Sequence, residues 1–123
     1  MALIERKHLL LIVRRSPYGS SLARAALDVA LATAAFEQPL SLLFLGDGVL
    51  HLMPAQDTQA RGVKNLGRQL AAFPLYGIES VYVDAEACAR FGLVPNESPV
   101  ATLPLDQRAV GELLRKYDHV LGF

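Results

Sequence analysis

A chain of 123 residues with 12 basic and 12 acidic side chains, zero formal net charge and 52% apolar residues fits one domain, residues 1–123, around one core. That balance excludes a strongly basic nucleic-acid binder and an acidic disordered tail. With only 20% charged residues there is little polar surface to spare, which points to a subunit that buries part of its exterior against partners.

Cys88 is the only cysteine, so an internal disulfide and a multi-cysteine metal site are excluded and a cytoplasmic location is the default expectation. The opening MALIERKHLLLIVRR has the charge-then-apolar order of a signal peptide. Its apolar core from Leu9 to Val13 is too short for one, and Arg14 and Arg15 stand where a cleavage site would be.

Leu9 to Val13 predicts a first buried strand, followed by a turn through Arg14, Arg15, Ser16, Pro17, Tyr18 and Gly19. Ser20 or Ser21 then caps a long helix. On it, Leu22, Ala25, Ala26, Val29, Ala30 and Thr33 form one stripe, and Ala23, Leu27, Leu31 and Ala34 form a second. A helix with two such stripes cannot turn both to water, so burial against partners is expected from Leu22 to Phe36. The strand, turn and helix order invites comparison with a phosphate-binding loop. Ser16 to Ser21 hold a single glycine, match neither G-x-G-x-x-G nor G-x-x-x-x-G-K-[ST], and lose a backbone donor at Pro17, so the reading is an ordinary turn and cap.

The stretch PLSLLFLGDGVLHLMPAQ, Pro39 to Gln56, organises the chain. Its apolar run is interrupted only by Ser41, as expected of a strand buried on both faces of a parallel sheet, and it ends in Gly46, Asp47 and Gly48. The glycines tolerate positive φ and the aspartate suits a helix cap. A loop at the carboxyl end of a central strand is where open α/β sheets place ligands and partners. After it, Val49, Leu50, Leu52 and Met53 form an apolar knot, expected to be exposed, with His51 inside it. No carboxylate or cysteine stands at triad spacing from His51, so it is read as a structural or interface histidine. The interface candidates are therefore Gly46, Asp47, Gly48, Val49, Leu50 and His51.

An amphipathic helix is expected from Asp57 to Phe73, weakened at Gly62 and Gly67. Leu75 to Gly77 turn the chain into a third strand, Ser80 to Val83, with Val81 and Val83 on one face and Tyr82 on the other. Asp84 caps a short helix through Phe91 that Gly92 closes. Cys88 lies one turn into it among Ala85, Ala87 and Ala89, with Asp84 on its own face opposing a thiolate and Arg90 pointing away, which describes a packed, inert thiol. A short edge strand is expected near Val100 to Leu103, bracketed by Pro95, Pro99 and Pro104. Asp106 caps a last helix with Val110, Leu113, Leu114 and Tyr117 inward, and His119 to Phe123 form a fifth strand. The alternation predicts an α/β three-layer sandwich around a mostly parallel five-stranded sheet.

Four islands, S-P-Y-G-S-S, F-L-G-D-G-V-L-H-L-M-P-A-Q, L-Y-G-I-E-S-V-Y-V and K-Y-D-H-V-L-G-F, together resemble the TusC (DsrF-like) branch of the DsrE/DsrF sulfur-relay family over nearly the whole chain. The resemblance implies a flavodoxin-like DsrE/F fold. It also implies a small cytoplasmic subunit that joins TusB-like and TusD-like chains in a hetero-hexamer relaying persulfide sulfur for 2-thiouridine synthesis at the tRNA wobble position. In the relatives from sulfur-oxidising bacteria the same architecture serves sulfur oxidation. The family's sulfur-carrying cysteine, in the TusD-like subunit, opens the helix after the third strand, and the corresponding position here is Asp84. No catalytic residue, cofactor or metal is carried over, and no direct contact with nucleic acid or membrane is expected. Three classes stand side by side: a non-catalytic relay subunit, a sulfurtransferase using Cys88, and a nucleotide- or flavin-binding module, which lacks a recognisable phosphate motif.

Overall fold

Runs of leucine, isoleucine and valine without polar alternation form the middle of the sheet, because both of their faces meet hydrocarbon. The computed structural model describes residues 8–15, 25, 28–29, 32, 39–52, 78, 80–94 and 101–122. The strands are β1 (Leu9–Val13), β2 (Leu40–Phe44), β3 (Ser80–Asp84), β4 (Leu103–Leu105) and β5 (His119–Gly122). They form one sheet in the order β4-β3-β2-β1-β5, with all four pairings parallel. The expectation of a mostly parallel five-stranded sheet is met. β2, the organising stretch, is its central strand and is buried at every position.

The order explains the two layers of helix. From β1 to β4 the chain steps in one direction, then returns past β1 to β5, and right-handed crossovers put the return helix on the opposite face. Packing agrees. Leu11, Val13, Leu40, Leu42, Phe44, Val81 and Val83 form one core with Ala87 and Cys88 of the Ala85–Phe91 helix. Leu10, Ile12 and Leu43 form the other with Val110 and Leu113 of the Gln107–Lys116 helix, joined by Tyr82, Leu105, Leu114 and Tyr117. Alternation along β1, β2 and β3 thus assigns each side chain its layer, and Asp106 caps the last helix through its Oδ1 and the Ala109 amide at 2.8 Å.

Ala25, Asp28, Val29 and Ala32 are helical, with Val29 packed on the first core and Asp28 exposed. The rest of the expected helix from Leu22 to Phe36, the Ser16 to Ser21 turn, the helix expected from Asp57 to Phe73, the turn at Leu75 to Gly77, and Met53, Pro95, Pro99 and Phe123 lie outside the described residues.

The edge strand differs in position from its expectation. β4 spans Leu103–Leu105, so Pro104 lies inside the strand, paired in register with Val83, and does not close it. An edge strand has only one neighbour, so a residue without an N–H is tolerated where its backbone turns to the open side. At the other edge, Asp118 fixes where β5 begins. Its Oδ2 accepts from the His8 amide at 2.8 Å, while the Asp118 and His119 amides donate to the His8 carbonyl at 3.1 and 3.2 Å.

Candidate functional site

The carboxyl ends of β1, β2 and β3 converge on the segment Gly46–Leu52, which folds as a 3₁₀ turn lying back over the strand ends. Gly46 sits at φ 51°, a conformation that costs a residue with a Cβ about 1–2 kcal/mol. Gly48 is needed for a different reason. A Cβ there would run into the Val13 carbonyl, with its carbon only 2.7 Å away, and that carbonyl already accepts the Leu45 amide at 3.0 Å. The sequence suggests positive φ for either glycine; the structure gives it to Gly46, and gives Gly48 a close backbone approach.

That approach corrects the picture of an exposed knot. With its backbone pressed against β1, the segment turns Val49, His51 and Leu52 into the core, and Val49 and His51 are 0% exposed. Of the six residues singled out in the sequence, Asp47 is exposed, Gly46 and Leu50 are half-buried, and Gly48, Val49 and His51 are inside. His51 packs its ring 5.8 Å from that of Phe44 and places Nε2 2.9 Å from the Arg15 carbonyl. A carbonyl can only accept, so Nε2 carries the proton. Burial pushes the His51 pKa down to about 4, opposed in part by that bond. At neutral pH it is an uncharged tie between the 3₁₀ segment and the end of β1, as a structural histidine should be.

Asp84 forms the second tie. It is 7% exposed, and its carboxylate accepts from the Ala87 amide through Oδ1, capping the Ala85–Phe91 helix, and from the Gly46 amide through Oδ2, both at 3.1 Å. The sequence identifies the cap but not the link to Gly46, because only the parallel pairing of β2 with β3 brings these residues together. Local spacing carries no trace of it.

Cys88 lies one turn beyond Asp84, 3% exposed among core side chains. Burial raises its pKa, and the nearby Asp84 charge raises it further. Both effects hold the sulfur as a thiol, the poorer nucleophile. On the other side of the 3₁₀ segment, Arg14 and Arg15 are exposed, and Arg14 reaches along β5 so that a Cβ on Gly122 would lie 3.5 Å from its Nη2. Among the described residues no group of three histidine, cysteine or acidic side chains is placed to hold a metal ion. No helix among them is long and apolar enough to cross a membrane.

The family model described as DsrE/DsrF-like matches residues 7–123. The chain belongs to that family. Within it, similarity runs to TusC- and DsrF-type proteins, as the motif islands suggest. A protein named TusC homolog from Pseudomonas aeruginosa is 40% identical, covering 92% of this chain and 95% of the relative. The protein named intracellular sulfur oxidation protein DsrF from Allochromatium vinosum is 30% identical over 95% of this chain and 96% of its own length. Among solved structures, the ychN protein of E. coli superposes with a TM-score of 0.82 at 18% identity, covering 95% of this chain and 99% of the other. A conserved protein of unknown function from Bacteroides thetaiotaomicron gives 0.66 at 16% identity, covering 94% of each. At those identities the superpositions establish the α/β fold of this DsrE/DsrF-like chain, not its role.

Proposed function

We propose that this chain is a non-catalytic subunit of a cytoplasmic TusBCD-like sulfur-relay complex, assembled with TusB-like and TusD-like chains in a hetero-hexamer that supports 2-thiolation of the tRNA wobble uridine. The observation that carries this reading is the 40% identity to the TusC homolog across nearly the full length of both chains. Site chemistry supports the non-catalytic part. The only cysteine is buried with a raised pKa, and the position that opens the helix after β3 holds a carboxylate already committed to two backbone amides. Within this reading the surface parts of the 3₁₀ segment, Asp47 and Leu50 with Gly46, face the partners.

A second setting has its own support. Similarity to DsrF at 30% identity over 95% of the chain favours a sulfur-oxidation complex of the same build, in which this chain keeps the same non-catalytic place. Mass spectrometry of the complex isolated from its own cell separates the two settings by the enzymes that accompany it. Cys88→Ser in the assembled complex tests the shared part. Sulfur transfer is expected to stay near wild type, and its loss with the complex still assembled would promote Cys88 to a sulfur carrier.

A further inference from the structure

We propose that Asp84 is a positioning residue: its carboxylate fixes the Gly46–Leu52 segment in the conformation that partner subunits recognise. The inference rests on the reading above, in which Asp47 and Leu50 face those partners.

The segment is held at three points. Asp84 Oδ2 takes the Gly46 amide at its start, Gly48 lies flush on the Val13 carbonyl in its middle, and His51 Nε2 reaches the Arg15 carbonyl at its end. Two of these ties require polar groups to be buried, His51 at 0% exposure and Asp84 at 7%, and burying such groups is unfavourable unless their bonds are made. Both bonds are made, and both hold the same seven residues. What the arrangement leaves at the surface is Asp47, with Gly46 and Leu50 half-buried, on a backbone tied at three points. Ordering a loop before binding removes that entropy from the cost of association.

Asp84 differs from the other two ties in serving two elements with one side chain. One oxygen caps the helix that follows β3 and the other reaches the loop that follows β2, so the two strand-end segments move as one body. A serine at this position can still accept from Ala87 as a helix cap. Its side chain is one atom shorter and offers a single oxygen, so it cannot also hold Gly46. The helix-capping and loop-positioning roles are thereby separable.

The test uses the full chain co-expressed with the TusB-like and TusD-like chains of its own organism. In Asp84→Ser, thermal stability should stay well above that of Asp84→Ala, while the Gly46 amide loses its protection and exchanges close to the rate of an open chain. A loop that spends a tenth of its time in the binding geometry raises the apparent Kd for the partners about tenfold. Unchanged exchange at Gly46 would overturn the tie itself. Exchange close to the open-chain rate with wild-type partner affinity would overturn the positioning role. Leu50→Asp tests the underlying reading separately: release of the partners is expected, and retention in that variant would mean the segment does not face them at all.

Discussion

His51 turns a sequence-level ambiguity into a measurable property. Its pKa of about 4 lies below the ordinary 6.5, so the unfolded chain takes up the proton first as the pH falls. The stability it contributes is complete above pH 6.5, falls through the window down to about 4, and levels off below it. At 1.36 kcal/mol per pKa unit, the loss over the whole window is about 3 kcal/mol, and about 2 kcal/mol between pH 7 and pH 5. Denaturant unfolding of wild type and His51→Gln at those two pH values isolates this contribution, because the other titrating groups are common to both. Wild type should lose about 2 kcal/mol more than the variant. Parallel losses would mean that the ring is solvated or already charged in the native state.

The elements show which parts of the site local sequence can encode. β1 and β3 follow from their apolar runs, and β2 is buried on both faces as its lack of alternation requires. The caps Asp84, Gly92 and Asp106 all hold the positions their residue types favour. The 3₁₀ segment was legible as a place but not as a surface. Whether Val49 points inward depends on the contact between Gly48 and Val13, which are far apart in the chain and meet only through the pairing of β1 with β2. The Asp84 tie to Gly46 is hidden for the same reason. That contact makes a direct prediction. Gly48→Ala forces the segment off β1 and should cost about 3 kcal/mol, near the upper range for overpacking, because the obstructing atoms are backbone and cannot swing away. Gly46→Ala meets only open space and should cost about 1–2 kcal/mol through its φ alone. Thermal unfolding of the two variants decides the order. Equal losses, or a Gly48→Ala protein as stable as wild type, would remove the close-approach account.

At the scale of the whole molecule, the apolar excess in the composition reappears as exposed side chains at both ends of the sheet. Leu103 on β4 is 54% exposed, Val120 and Leu121 on β5 are also exposed, and Phe91 and Val94 lie exposed at and beyond the end of the short helix. The two sheet edges are not equally protected: β4 carries Pro104, whereas β5, His-Val-Leu-Gly, has neither proline nor a permanently charged side chain. With zero formal net charge, little long-range repulsion keeps copies apart. If the proposed complex forms, this chain should gain stability from its partner subunits, because a partner that binds only the folded form shifts the unfolding equilibrium by mass action. At partner concentrations about a hundredfold above Kd the gain is about 2.7 kcal/mol. For a domain of this size that raises Tm by roughly 10 °C. Thermal scans of the purified chain with increasing amounts of the TusB-like and TusD-like subunits should show Tm climbing with their concentration and still rising, about logarithmically, above Kd. A flat Tm over that range, with the chain still eluting alone, would separate it from such a complex whatever its family.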